Sequence, residues 1–179
     1  MIRKPLSLLG HPMRVTEFFS DLYVEDSANG THRSLASLNG WIVDLSGDWA
    51  DIYWDLDAMS ADSEKLGAGL LHLESELEDA WTYSTGIMID RVGTEHRGNG
   101  LGPFAVRRAL EYLTLGTADT TLSVLHAVAQ GFEDESSAEF KTANKKVMKS
   151  WSMLGYSHVT PGSQLMWANV GELLLVSSK

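Results

Sequence analysis

The stretch from Thr85 to Leu115 constrains the fold more than any other part of this sequence. Residues 86–92 are mostly apolar, which is typical of a strand buried on both faces. Apolar residues between positions 101 and 113 then recur at helical spacing. Four glycines crowd the turn where these segments meet, Gly93, Gly98, Gly100 and Gly102. The pattern predicts a buried strand that enters a helix through a glycine-rich loop.

A loop of this kind suits a phosphate group. Glycine has no Cβ, so its backbone amide can approach an anion closely. A helix that begins at the loop adds unpaired amides and the positive end of its dipole. We expect Pro103 at the start of that helix, where proline is favoured, and Gly116 at its C-terminal end. The sequence therefore predicts a phosphate-binding turn at the end of a strand.

Two common nucleotide-binding loops do not fit this stretch. A mononucleotide P-loop ends in Gly-Lys-Ser/Thr, whereas Gly98 is followed by Asn99 and Gly100. A dinucleotide-binding loop needs a third glycine at the position of Pro103. Both kinds of loop are excluded by residue type.

The segment from Arg97 to Gly102 resembles the pyrophosphate loop of the GNAT family, the coenzyme A-dependent N-acetyltransferases. That family's pattern is Arg/Gln-x-x-Gly-x-Gly/Ala, placed after a strand and opening a helix. In the family, the pyrophosphate helix is followed by a strand, a helix and two closing strands. The sequence predicts this order, with a strand at 120–128, a helix at 138–154 and strands at 156–159 and 165–170, after which the tail frays.

The helix at 138–154 carries a second pattern similar to the family's. The family has Asn, a small apolar residue three positions later, Tyr seven later and Gly-Phe eleven and twelve later. The spacing matches at every step and three of the five residue types differ. The corresponding residues are Asn144, Val147, Trp151, Gly155 and Tyr156. By resemblance, Asn144 and Trp151 would contact coenzyme A. Because an indole N–H does not transfer its proton at neutral pH, we expect Trp151 to pack against the pantetheine arm. Water or Tyr156 would then be the proton donor, unless Tyr156 only fills the core.

We predict a single α+β domain over residues 1–179, with a GNAT-like fold and a mixed, mainly antiparallel sheet flanked by helices. Residues 1–80 would form the acceptor side and residues 81–179 the acetyl-CoA-binding core. The first part is expected to contain strands at 13–24 and 34–45 and helices at 49–59 and 60–77. The strands would pair as an antiparallel hairpin through a turn at Asn29-Gly30, with a break at Asn39-Gly40.

The long helical region directly before the central strand is not the commonest family layout. It resembles uncharacterised bacterial members with a similar LDAMSAD helix start, which give no indication of the substrate.

The resemblance implies an N-acetyltransferase in which an amine attacks acetyl-CoA directly and CoA leaves as the product. This reaction needs a deprotonated amine, a polarised thioester carbonyl and a neutralised thiolate. By resemblance, the backbone of the splayed central strand would contact the thioester and the pantetheine arm, through Ile89, Arg91 and Val92. The loop would hold the pyrophosphate, through Arg97, Gly98, Asn99, Gly100, Leu101 and Gly102. Pro103 lacks an amide, so one donor used by many family members is missing.

Three side chains are candidates for the general base: Asp90, Glu95 and His126. Asp90, on the central strand beside the thioester, is the first choice. It can equally form an ion pair with Arg91 or a neighbouring strand. His126 has a suitable intrinsic pKa, but a lone histidine on a strand is more often packed and hydrogen-bonded. Many family members use only an ordered water.

The net charge limits the classes of partner that the protein is expected to bind. A formal charge of −10 argues against nucleic acid, tRNA included, because phosphate contacts need a basic surface. It suits a small-molecule or peptidyl amine that carries positive charge, although acidity can also serve solubility alone. The acidic segment around Asp48, Asp51, Asp55 and Asp57 could attract such an amine or form a solvated helix face. Nearby aromatic residues could form a substrate wall or part of the core: Trp49, Tyr53 and Trp54.

Several other classes lack support in the sequence. The chain has no cysteine and no apolar stretch long enough to span a membrane, which favours a cytoplasmic protein. The histidines are scattered without ligand spacing, so we expect no metal. No Gly-x-Ser-x-Gly motif indicates a serine hydrolase. A non-catalytic acyl-CoA-binding or regulatory module is the second hypothesis, and a homodimer is left open.

Overall fold

A computed structural model of the chain describes residues 14–26, 30–94 and 98–176. Its strands are β1 (Val15–Asp26), β2 (Thr31–Asp44), β3 (Thr85–Thr94), β4 (Thr121–His126), β5 (Ser157–His158) and β6 (Leu165–Asn169). Its helices are α1 (Trp49–Asp57), α2 (Ala61–Glu76), α3 (Leu101–Leu113), α4 (Ala138–Leu154) and α5 (Val170–Val176). Short 3-10 turns lie at Ala80–Thr82 and Ala118–Thr120.

The strands form one six-stranded sheet in the order β1-β2-β3-β4-β6-β5. β1 and β2 pair as an antiparallel hairpin, with Val15 opposite Val43, and β2 pairs antiparallel with β3. β3 and β4 are parallel, while β6 is antiparallel to both β4 and β5. The prediction of an α+β fold with a mixed, mainly antiparallel sheet flanked by helices is therefore confirmed.

Helices cover both faces of the sheet, and each face has its own core. On β3, Met88 packs under α1 and α2, whereas Ile87 and Ile89 pack under α3, α4 and α5. The α1–α2 core also includes Trp41, Val43, Trp49, Ile52, Leu56, Leu66, Leu70 and Leu73. The α3–α5 core also includes Phe18, Leu38, Val106, Leu110, Trp151, Leu154, Tyr156, Met166 and Leu173. The central strands are thus buried on both sides, as their apolar sequence predicts.

Helix ends follow local sequence signals. Asp48 caps α1 by accepting from the amide of Ala50 at 2.8 Å, and Ser60 caps α2 through the amide of Ser63 at 3.1 Å. Gly155 ends α4 in the left-handed region, at φ +117°. These ends lie within a residue or two of those expected from the sequence.

Some boundaries differ from expectation. α3 begins at Leu101, so Pro103 is its third residue, and the helix ends at Leu113 with Gly116 in the turn beyond. β2 runs unbroken through Asn39 and Gly40, where the register with β3 shifts instead. Asn29, half of the expected hairpin turn, lies outside the described residues.

The tail beyond β6 forms a helix rather than fraying. α5 starts directly after Asn169, and its Val170 and Leu173 are buried in the α3–α5 core. Tertiary burial of its apolar side chains stabilises a helix of this length, which would be marginal alone. No helix in the described part of the chain has both the length and the apolarity to cross a membrane.

Candidate functional site

A cleft opens where the two parallel central strands separate. β3 and β4 pair from Thr85 opposite Thr121 as far as Ile89 opposite Leu125. β3 then continues to Thr94 beside β2. The chain after β4 instead follows β6, because the amide of Ala127 donates to the carbonyl of Gln164 at 2.7 Å. The backbone of β3 beyond Ile89 therefore has an edge without a β4 partner.

A cavity of about 490 Å³ occupies this cleft, which is in the range of sites for small organic ligands. Its walls come from the end of β3, the glycine loop and the start of α3, the end of β4 and one face of α4. Residues that line it include Ile89, Asp90, Val92, Gly98, Gly100, Leu101, Gly102, His126, Val147 and Trp151. The structure thus brings most of the predicted site residues together.

The glycine loop has the backbone of an anion-binding turn. Gly98 and Gly100 have φ of +84° and +72°, which favours glycine over other residues. Gly100 caps α3 without a side chain, and the first turn of α3 contains no acidic residue. The amides of Leu101 and Gly102 therefore face no side-chain cap or carboxylate of that turn. Arg97 and Glu95, named from the sequence, lie outside the described residues.

Asp90 forms a β-bulge at the mouth of the cleft. Asn39 lies opposite Arg91 and Gly40 opposite Ile89, so Asp90 has no partner on β2. Asn39 donates from Nδ2 to Asp90 Oδ2 at 3.2 Å, and Arg91 Nε lies 3.7 Å from the same oxygen. The Asp90 side chain is only 13% exposed and lines the cavity. The ion pair with Arg91 considered from the sequence is therefore present.

Arg91 does not line the cavity, in contrast to its neighbours Asp90 and Val92. Its guanidinium is 67% exposed and lies 3.7 Å from Asp62 of α2 as well as 3.7 Å from Asp90. Exposed pairs at such distances contribute little to stability.

His126 lies on the α1–α2 side of the same cleft. Its side chain is half-buried, and Nε2 is 3.3 Å from Gln164 Oε1. Burial is the main cause that lowers the pKa of His126, and the positive charge of Lys65 adds to this effect. The neutral imidazole is therefore favoured.

Asn144 supports a wall of the cavity. The residue is 5% exposed, and its Oδ1 accepts from the amide of Ala129, on the chain that leaves β4, at 2.8 Å. It is outside the cavity lining, so its contact positions the wall rather than the ligand directly. Trp151 does line the cavity and is 8% exposed.

Tyr156 is placed in the core, which is a correction to its candidacy as proton donor. The residue is 2% exposed, its hydroxyl lies 2.7 Å from Ser123 Oγ, and its ring meets Trp151 edge to face at 6.0 Å. It does not line the cavity, and burial raises the pKa of its phenol. A phenol that is buried and held in this way is poorly placed to protonate a departing thiolate.

The acidic and aromatic segment of α1 does not reach the cavity. Asp48, Asp51, Asp55 and Asp57 are exposed, and Asp51 pairs with Arg14 at 3.0 Å. Trp49 is buried with its indole donating to the Leu45 carbonyl at 3.1 Å, whereas Trp54 is 64% exposed. The aspartates therefore form a solvated helix face, while Trp49 belongs to the core.

Gln164 and Asn39 are site residues that sequence reasoning missed. Each acts by contacting a residue on another strand, His126 or Asp90. No local spacing signals such contacts, because they depend on strand register. No group of three or more potential ligand side chains in the described ranges is placed to hold a metal ion.

Comparison with known proteins adds no assignment to this geometry. No model of a protein family matches the chain, and no curated protein matches it.

Proposed function

We propose that the chain is an acetyl-CoA-dependent N-acetyltransferase of the GNAT type, which transfers an acetyl group to a primary amine. The observation that carries the proposal is the separation of β3 from β4 after Ile89 around a cavity of about 490 Å³. The glycine loop and the start of α3 line that cavity. A splayed strand beside a phosphate-type loop is the arrangement that the resemblance implies.

The chemistry of the walls fits the parts of acetyl-CoA. The amides from Gly98 to Gly102 would hold the pyrophosphate at the positive end of the α3 dipole. The edge of β3 that has no β4 partner, beyond Ile89 as far as Val92, would hold the pantetheine amides and polarise the thioester carbonyl. Val147 and Trp151 of α4 supply an apolar wall. Asn144 would act indirectly, through Ala129.

The side chains near the cavity also limit which group can protonate the departing CoA thiolate. The amine nitrogen attacks the thioester carbon, the C–S bond breaks, and the sulfur keeps the electron pair. The family's tyrosine position holds Trp151, and Tyr156 is buried away from the cavity. Water therefore protonates the thiolate in this proposal.

The same observation favours a second candidate, a non-catalytic acyl-CoA-binding or regulatory module. A chain that only binds would need the loop and the splayed strand but no proton donor. The two candidates differ in whether free CoA appears in proportion to added amine.

Binding of CoA is the first test. We expect CoA to raise the melting temperature, because a ligand of the folded state adds about 2.7 kcal/mol at a hundred times its Kd. Arg97→Glu should abolish the shift. Arg108→Glu is the matched control, since it makes the same charge change at an exposed site on α3 and should keep the shift. Absence of a shift at about 1 mM CoA would end the acetyltransferase proposal.

A further inference from the structure

His126 occupies a distinctive place in the sheet. It is the last residue of β4 and follows Leu125, the last residue of β4 that pairs with β3. Leu122 and Val124 pack in the α1–α2 core, so strand alternation places His126 on that side. His126 lines the cavity, and α3 and α4 pack on the opposite face of the sheet. An acceptor that enters from the α1–α2 side meets this histidine at the cleft.

Gln164 contacts the His126 ring and favours one of its two neutral tautomers. The contact joins His126 Nε2 to the amide oxygen Oε1 at 3.3 Å, and an amide oxygen can only accept a hydrogen bond. This contact favours the tautomer that is protonated on Nε2, which leaves the lone pair on Nδ1. The Gln164 backbone is itself fixed, because its carbonyl accepts from Ala127 at 2.7 Å. Among the described residues, Nδ1 of His126 makes no hydrogen bond.

Charges of both signs surround the ring. Lys65 disfavours a positive imidazole, whereas Asp62 of the same helix and Glu135 before α4 favour it. Asp90 lines the same cavity from β3. Burial outweighs these charges and lowers the pKa of His126 below its ordinary value of 6.5. The ring is therefore uncharged at neutral pH and able to accept a proton.

Asp90 is less suited to the same task. Its Oδ2 already accepts from Asn39 and faces Arg91. A carboxylate is also a weaker base than an imidazole at neutral pH.

We propose that His126, oriented by Gln164, is the general base that deprotonates the acceptor amine. This inference rests on the proposed acetyltransferase function. The amine nitrogen forms the new C–N bond to the thioester carbon, and its proton passes to Nδ1 of His126. The C–S bond breaks with its electron pair on sulfur, and the thiolate takes a proton from water. His126 then returns its proton to solvent, so one amide and one thiol are formed without net gain or loss of protons.

The ring state is tested first, without any acceptor. Long-range nitrogen–proton NMR of protein with labelled histidines reports the tautomer of each ring, and His126→Gln assigns the His126 signals by their loss. We expect the Nε2–H tautomer for His126 and a mixture of tautomers in Gln164→Leu. An Nδ1–H tautomer in the wild-type protein would overturn the proposal.

Turnover is tested with aniline and with water as acceptors, by release of the CoA thiol from acetyl-CoA. Aniline stays uncharged above about pH 5.5, so an inflection in the rate above this pH does not come from the acceptor, and its loss in His126→Gln would assign it to the histidine rather than to a phosphate of acetyl-CoA. The wild-type rate should rise with pH to a plateau, with its midpoint below 6.5 because burial lowers the pKa of His126. His126→Gln should lose about a hundredfold or more in kcat and lose the inflection, while the Kd for CoA is unchanged.

Two variants serve as comparisons. His158 bonds through Nδ1 to the Ser163 carbonyl at 2.6 Å and does not line the cavity, so His158→Gln should keep wild-type kcat. If Asp90→Asn loses kcat and His126→Gln does not, the base is Asp90 and the inference is wrong. If the wild-type protein binds CoA but releases no thiol with either acceptor, the inference is overturned and the binding module remains. If CoA does not bind at all, the proposed function fails first.

Discussion

Trp151 is the residue at which this chain departs most from the chemistry that its resemblance implies. Its indole lines the cavity and packs edge to face on Tyr156 at 6.0 Å. Indole can donate a hydrogen bond but does not give up its proton, so the residue can shape the site without acting as an acid. The departing thiolate is therefore expected to depend on water.

Replacing Trp151 separates packing from proton delivery. Trp151→Tyr should keep or raise kcat, because it places a hydroxyl where the family has one, and Trp151→Phe is the matched control without a hydroxyl. The rate of CoA release and the Kd for CoA are measured for both variants. A fall of about a hundredfold or more in kcat for both, with an unchanged Kd, would show that the indole has a chemical role.

Single residues were predictable where the signal was local. Gly116 was expected at the C-terminal end of α3, and it has a left-handed backbone in the turn beyond that helix, because glycine is the residue that adopts this conformation at low cost. Asn144 was named from the resemblance as a coenzyme A contact, whereas it lies outside the cavity lining and its partner, the Ala129 amide, was not predicted. The contacts of Tyr156 and His126 depend on which strands pair and in which register, and this pairing cannot be read from the residues one at a time.

At the scale of elements, the β-bulge at Asp90 lies directly after Ile89, where β3 loses its β4 partner. Gly40 lies opposite this bulge, and a Cβ there would collide with the Met88 carbonyl and lie 3.1 Å from Ile89 Cα. Backbone atoms cannot move aside as a flexible side chain can. The glycine therefore permits the close approach of β2 and β3 that the bulge requires.

Gly40→Ala should lower the free energy of unfolding by about 1–3 kcal/mol, the usual cost of overpacking a tight site. Gly102→Ala is the control, because its Cβ would meet Val92 at 3.5 Å, an ordinary contact, inside a helix that favours alanine. Urea unfolding of the two variants measures the difference. Equal midpoints would mean that β2 and β3 are not this close at the bulge.

Most elements were predictable because their hydrophobic periodicity is strong. The predicted helix at 138–154 coincides with α4, and α1, α2 and β3 begin and end within two or three residues of expectation. The prediction that the tail frays was wrong, because the helix there, Val170–Val176, has only seven residues and is too short to show a clear hydrophobic periodicity. Its stability comes from burial of Val170 and Leu173 and from Arg107, which donates to the Leu174 carbonyl at 3.0 Å.

For the whole molecule, the two faces of the sheet divide the proposed chemistry. The loop and α4 lie with the α3–α5 core and would hold the cofactor, while His126 and Asp62 lie toward α2. The cleft between β3 and β4 joins the two sides. On the α1–α2 side of the sheet, α1 carries exposed Asp51, Asp55 and Asp57, which do not line the cleft but add to the negative charge of this side.

This acidic surface predicts that salt concentration changes which acceptor amine the protein prefers. With a formal charge of −10, the protein should attract a cationic amine, and this attraction weakens as the Debye length falls from about 30 Å at 0.01 M to about 3 Å at 1 M salt. We expect kcat/KM for a diamine such as putrescine to fall about tenfold or more over this range, and kcat/KM for uncharged aniline to stay constant. Asp55→Asn combined with Asp57→Asn should flatten the dependence, whereas Glu172→Gln on α5 should not. A preference for neutral or anionic amines without any salt effect would show that the acidic surface serves solubility and does not select the substrate.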